Sequence, residues 1–309
     1  MPDHLDIRGY RGRSDLALLL AFASRSLAAR FSLPSCWHPG DFIWLLKPDY
    51  DRPHRVRMWL SSRGVEGVMM FTGVDQVWVE LLPDSEHLLP EIVERAERAR
   101  LRSAEGAANL SLRVYERDAR RIAALEQLGY LRGEPDHVWF RRDLAEPLPD
   151  FPVPAGFRIR DSVGVDPVLR AKAHRDAWND LSQIGIPDAR SGFTTEVYIG
   201  LRDAPVYDPS LDILVEAANG EFVASTICWA DPVSRIGIFE PVGAHAKYRQ
   251  RGLARFAMLE GMRRLKARGM AWAGVGTAHF NAPAIAAYGS FFPPLDSSRW
   301  WTKTLSPGS

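Results

Sequence analysis

The stretch Val242-Gly243-Ala244-His245-Ala246-Lys247-Tyr248-Arg249-Gln250-Arg251-Gly252-Leu253-Ala254 decides how this chain is read. It leads from a strand expected over Arg235–Val242 into an amphipathic helix expected over Gly252–Arg268. The first amides of a helix have no intrahelical partner, and its dipole favours negative charge at that end. A glycine there lets the backbone come close to a ligand, and Lys247, Arg249 and Arg251 bring positive charge to the same turn. Together these features describe a phosphate-binding turn. The spacing fits neither GxxxxGK[ST] nor GxGxxG, which excludes a P-loop and a dinucleotide fingerprint.

A second stretch follows at Asn281-Ala282-Pro283-Ala284-Ile285-Ala286-Ala287-Tyr288, read as a short helix after a strand at Ala271–Val275. Arg249–Ala254 fits the pattern [Q/R]-x-x-G-x-[G/A], and Asn281–Tyr288 fits N-x-x-A-x-x-x-Y. In this order and context the two resemble the Gcn5-related N-acetyltransferase (GNAT) superfamily, over most of residues 157–305. The resemblance implies that backbone groups of Val242, Gly243 and Ala244 pair with the pantetheine arm of acetyl-CoA. It implies further that the amides of Arg249, Gln250, Arg251, Gly252, Leu253 and Ala254 hold the pyrophosphate, that Asn281 touches the cofactor, and that Tyr288 protonates the departing thiolate. Two departures stand out: Ala246 replaces a frequent proline, and Gly289-Ser290-Phe291-Phe292 follows Tyr288 closely.

An attacking amine must lose a proton. Glu240 is the candidate base, on the same strand face as Val242 if alternation holds, and a glutamate on this strand is common in the superfamily the chain resembles. His245 could act only through a water and is expected to be structural. Trp178, Trp229 and Tyr198 are candidates for an acceptor pocket or for plain core.

The 309 residues suit two domains. Leu144–Gly156 holds four prolines in 13 residues and reads as a linker, which divides the chain into 1–145, a linker at 146–156, and 157–309. The halves repeat: Ile122-Ala123-Ala124-Leu125 returns 163 positions later as Ile285-Ala286-Ala287-Tyr288, and the aromatic strand Val138–Arg141 as Arg299–Lys303. Each half interleaves strands with helices. The first has helices at Asp15–Arg30, with Asp15 near the cap, at Pro90–Arg102 and at Asp118–Leu128. Asn219-Gly220 marks a hairpin in the second. The fold expected is mixed α/β, two tandem GNAT-like domains, each a mostly antiparallel sheet flanked by helices. The first copy is degenerate. At the same offset the phosphate turn becomes Glu86-His87-Leu88-Leu89-Pro90-Glu91, acidic and without glycine, and Leu125 stands for Tyr288. This plan is similar to that of mycothiol synthase, with too few matched residues to imply that substrate.

Composition narrows the partners. Lys+Arg 39 against Asp+Glu 38 does not favour nucleic acid or an anionic membrane. The longest apolar run, Leu16–Ala23, is far below the about 20 residues of a membrane span, and the first residues are acidic, so a cytoplasmic protein is expected. Cys36 and Cys228 lack ligand spacing and sit among apolar neighbours, which points to core thiols and to neither a disulfide framework nor a metal site. The expected activity is acetyl transfer from acetyl-CoA to a primary amine of a small molecule or peptide, by a monomer or homodimer. The alternative is a non-catalytic acyl-CoA-binding regulator or scaffold.

Overall fold

The computed structural model describes residues 5–30, 37–47, 55–104 and 106–306. Cys36 lies outside them. In chain order the elements are β1 (Asp6–Gly9), α1 (Arg13–Ala29), α2 (Pro39–Leu46), β2 (Val56–Ser61), β3 (Gly64–Phe71), β4 (Gln76–Leu81), α3 (Leu89–Arg102), β5 (Ala108–Tyr115), α4 (Ala119–Gln127) and β6 (Leu131–Asp143). The second series is β7 (Phe157–Asp161), α5 (Pro167–Trp178), α6 (Thr195–Arg202), β8 (Asp212–Ala217), β9 (Phe222–Asp231), β10 (Ile236–Ala244), α7 (Leu253–Ala267), β11 (Trp272–Ala278), α8 (Ala282–Gly289) and β12 (Pro294–Leu305). Among the described residues no helix is long and apolar enough to cross a membrane.

Two compact units divide these elements. The first comprises residues 1–38, 49–138 and 296–309, the second 39–48 and 139–295. The division expected at 146–156 therefore separates the copies along the chain but not the compact units. The end of the second copy joins unit 1, where β12 pairs antiparallel with β5 from Ser298↔Tyr115 to Leu305↔Ala108. Trp301 and Leu305 are buried there with Leu110, Leu112 and Leu125. The last residues of β6, from Trp139, belong in turn to unit 2.

In unit 2 the strands β7, β8, β9 and β10 are antiparallel neighbours, and β11 lies parallel to β10. The β8–β9 hairpin turns at Asn219-Gly220 as expected, with Ala217 N–H donating to the Glu221 carbonyl at 2.9 Å. α7 buries Leu253, Phe256, Ala257, Met258, Leu259, Met262 and Leu265, the helical spacing of a core-facing stripe. α5 starts at Pro167 with Asp166 as its cap, the side chain accepting from Val168 N–H at 2.8 Å. Arg170 of α5 donates to both oxygens of Asp212 at 2.9 Å, with both side chains fully buried. Tyr207 donates to the same carboxylate at 2.8 Å, so the buried charges are paired. Cys228 is a buried thiol whose ionisation burial opposes.

Unit 1 repeats the pattern with β1–β2–β3–β4 antiparallel and β4 parallel to β5. Asp15 lies near the cap of α1 as expected. Gly12 caps α1, and Asp15 is buried in the first turn, accepting from Arg8 Nη1 at 2.5 Å and from the Arg11 amide at 2.8 Å. The paired guanidiniums hold its carboxyl far below the usual range. A depressed carboxyl stabilises the fold above the unfolded-state pKa near 3.9 and loses that contribution as pH falls. Asp15→Asn should cost about 2 kcal/mol at pH 7 in urea unfolding, and the gap to the native chain should narrow below about pH 4. An equal gap at pH 3 and pH 7 would remove the ion pair from the account.

Candidate active site

β10 is regular only at its start. Ile236–Phe239 face Asp231–Cys228 of β9, then the register shifts, and Val242–Ala244 face Thr226–Ala224. Glu240 and Pro241 thus oppose the single residue Ile227, a bulge that breaks the pleat. Phe239, not Glu240, keeps step with Val242, so the face expected for Glu240 from simple alternation is corrected. The indole Nε1 of Trp229 donates to the Glu240 carbonyl at 2.6 Å and fixes the bulge. β11 pairs with β10 only from Ile236↔Trp272 to Ile238↔Gly274, and beyond that the two strands part. His245 N–H donates to the Val223 carbonyl at 2.9 Å. By alternation, Gly243 turns its backbone groups to β9, and Val242 and Ala244 turn theirs to the opened side.

The turn after β10 is built around its own polar groups. His245 Nδ1 accepts from Lys247 N–H at 3.1 Å and caps a single 3-10 turn at Ala246–Tyr248. Gln250 and Gly252 have φ of 62° and 74°, and α7 begins at Leu253 without a side-chain cap. Gly252 meets the left-handed requirement without strain. The first amides of α7 remain available to an anion. Arg249 departs from expectation. It donates to the carbonyls of Ala244 at 3.2 Å, Asp180 at 2.9 Å and Ala177 at 2.9 Å, which ties the loop after α5 to the end of β10. Its guanidinium is a brace, and the charge facing the turn comes from exposed Lys247 and Arg251.

Asn281 caps α8, accepting from Ala284 N–H at 3.3 Å. Tyr288 is buried one helix-length on, edge-to-face against Phe140 at 6.2 Å. Burial and the nearby Glu240 carboxylate push its phenol above the usual value. Burial also raises Glu240, to about 7; Asp41 adds to the effect and Lys47 opposes it. Asp41 lies in the first turn of α2 and Lys47 just beyond its last residue, a helix whose role in this unit was not foreseen. Pro39 and Asp41 are start signals for a helix, but nothing local says which unit it joins. Trp178 lies directly against Gly243 and stacks on His174 at 4.3 Å. Trp229 and Tyr198 serve the bulge and the Asp212 cluster. His245 Nε2 faces Glu221 at 3.7 Å and Asp176 at 4.0 Å.

Residues 178–291 match the acetyltransferase (GNAT) family. No curated protein matches the sequence. Among solved structures, a GCN5-related N-acetyltransferase from Sphaerobacter thermophilus is similar over 100% of this chain and 98% of its own, with TM-score 0.61 and 17% identity. A tandem GNAT protein from the clavulanic acid biosynthesis pathway aligns over 99% and 100%, with TM-score 0.64 and 16% identity. A GNAT-family acetyltransferase from Colwellia psychrerythraea aligns over 96% and 100%, at 0.57 and 13%. The fold shared is the tandem GNAT fold.

The corresponding place in unit 1 is filled. β4 and β5 pair only at Gln76↔Ser111 and Val77↔Leu112 before parting. Arg121 Nη1 donates to the Val79 carbonyl at 3.0 Å, and Arg30 Nη2 to the Leu81 carbonyl at 2.8 Å. Arg30 and Arg121 both pair with Glu86, at the position of the turn before α7 in the second copy. Asp118 caps α4 as Asn281 caps α8, and buried Leu125 occupies the position of Tyr288. Arg121→Leu would leave the buried Glu86 with Arg30 as its one cation and free the Val79 carbonyl, and should cost about 3 kcal/mol in urea unfolding. Adding Glu86→Gln should restore part of the loss. A single variant as stable as the native chain would show that the network carries no weight.

Proposed function

We propose that the second copy transfers an acetyl group from acetyl-CoA to a primary amine of a small molecule or peptide, by direct attack. The observation that carries this reading is the opened strand pair beside the uncapped start of α7, with half-buried Glu240 and buried Tyr288 at the same opening. The pantetheine arm would pair with backbone groups of β10 at Val242–Ala244, and the pyrophosphate would take the amides of Arg249–Ala254. Asn281 would border the cofactor while capping α8.

A carboxylate titrating near 7 is matched to accepting an ammonium proton at neutral pH. The free amine then attacks the thioester carbon, the carbonyl electrons move to oxygen, and backbone N–H groups stabilise the oxyanion. Collapse of this intermediate breaks the C–S bond, and Tyr288 O–H protonates the thiolate. The two residues work in sequence. While Glu240 is ionised its charge keeps the phenol protonated. Once it has taken the amine's proton that charge is gone, and Tyr288 becomes the stronger acid when the thiolate appears. The paired charges of the surface and the reduced Cys228 suit a cytoplasmic enzyme, acting as a monomer or homodimer.

Titration calorimetry with acetyl-CoA should give one site per chain, and Gly252→Glu should abolish it by placing a carboxylate on a left-handed backbone where phosphate must sit. Two equivalent sites would contradict the reading. CoA release across a panel of amines tests turnover, and tight binding with no turnover on any of them would favour a regulator or scaffold. Tyr288→Phe keeps the ring against Phe140 and removes only the hydroxyl, so turnover should fall about 10²-fold or more with acetyl-CoA affinity nearly unchanged. Unaltered turnover, where chemistry limits the rate, would assign Tyr288 to the core.

A further inference from the structure

α2 comes from the first copy of the chain, yet residues 39–48 belong to unit 2. Its attachment is tight. Gly40 lies so close to Trp229 that a side-chain carbon there would overlap the indole. That indole in turn holds the Glu240 carbonyl at 2.6 Å, so helix, ring and bulge form one stack. One turn further on, Trp44 packs against His174 at 5.6 Å and Phe193 at 5.5 Å. Lys47 folds back over the end of the helix, donating to the Trp44 carbonyl at 2.6 Å with its ammonium 2.9 Å from the centre of the Trp44 ring. The helix therefore carries a half-buried acid near its start and a half-buried amine at its end, both within electrostatic reach of Glu240; burial pulls the Lys47 ammonium well below its usual range, and the Glu240 carboxylate is what favours its charge.

We propose that α2 is a working part of the acetyl-transfer site, positioning the Glu240 bulge through Gly40 and Trp229 and setting the opposed charges of Asp41 and Lys47 beside the Glu240 carboxylate. The proposal rests on the reading of Glu240 as the base. Asp41 disfavours the ionised carboxylate and Lys47 favours it, so the pair sets how readily Glu240 takes a proton. The other groups packed around the bulge add little charge. Tyr288 of α8 is kept neutral, and His174 of α5 is held neutral by burial and by the neighbouring Arg170, Lys47 and Arg175. Neither Asp41 nor Lys47 touches the reacting atoms in this scheme. Both are positioning residues.

The two charges predict shifts of opposite sign, which a purely structural role of α2 would not produce. Carbon-13 NMR of the full chain labelled at glutamate side-chain carboxyls follows the Glu240 resonance, assigned by its loss in Glu240→Gln. The titration midpoint should move to lower pH in Asp41→Asn and to higher pH in Lys47→Met. Where an acceptor has been found, the acid limb of kcat/KM should move the same way. Gly40→Val, which displaces Trp229, should lower kcat at least tenfold with the KM for acetyl-CoA little changed. Equal midpoints in the native chain and both charge variants would overturn the proposal, and so would full turnover in Gly40→Val. If Glu240→Gln keeps full turnover while the midpoints still shift, the assignment of the base fails and the placement of α2 stands.

Discussion

Two parallel strands that pair for three residues and then part are the constraint on which the rest of unit 2 depends. β10 and β11 are joined from Ile236 to Ile238 and no further. The bulge at Glu240 and Pro241 re-aims β10 at the point of parting, and the Trp229 indole satisfies the carbonyl that the bulge displaces. From there the strand presents the backbone of Val242 and the amide of Ala244 to an open side, the Ala244 carbonyl being held by Arg249, and the chain enters α7 without a side-chain cap. A half-buried carboxylate, a buried phenol and a helix start are thereby brought to one opening by a single irregularity in the ladder.

Unit 1 meets the same constraint with the opposite solution. β4 leaves β5 after Val77, and the exposed carbonyls of Val79 and Leu81 would be costly without partners. Guanidiniums supply them. Arg121 and Arg30 each donate to a strand carbonyl and to Glu86, so every charge in the buried network has a counter-charge. An acid in place of a phosphate turn thus follows from what fills the opening. Once arginines cap the strand, a carboxylate is needed beside them, and an anionic ligand would meet Glu86 in place of free amides. The loss of binding chemistry and the gain of internal stability are one change.

Much of this was legible in the sequence, and the limits have physical causes. Helix and strand positions follow from periodicity and from local signals such as Asn219-Gly220, Pro167 after Asp166, and the cap at Asn281, because each depends on residues within a few positions. The repeat at 163 positions was legible for the same reason, and equivalent caps at Asp118 and Asn281 bear it out. The bulge escaped because alternation presumes an unbroken ladder, although Pro241, which cannot donate, is the residue that would have hinted at it. The bracing role of Arg249 had no local signature for a related reason: the carbonyls of Ala177 and Asp180 that its guanidinium holds lie some 70 positions away. The exchanged ends of β6 and β12 and the placement of α2 are long-range facts with no local signature.

The two copies consequently do not coincide with the two compact units. The unit that carries Glu240 and Tyr288 is assembled from residues 39–48 and 139–295, and Phe140, against which Tyr288 packs, lies on the last strand of the first copy. Unit 1 needs the end of the second copy in the same way, since β12 pairs with β5 along eight residue positions and buries Trp301 and Leu305 in its core. Under such an arrangement the first copy is needed whether or not its own turn at Glu86 holds a ligand. What selection would hold constant there is the strand and the helix that it supplies to the site of the second copy.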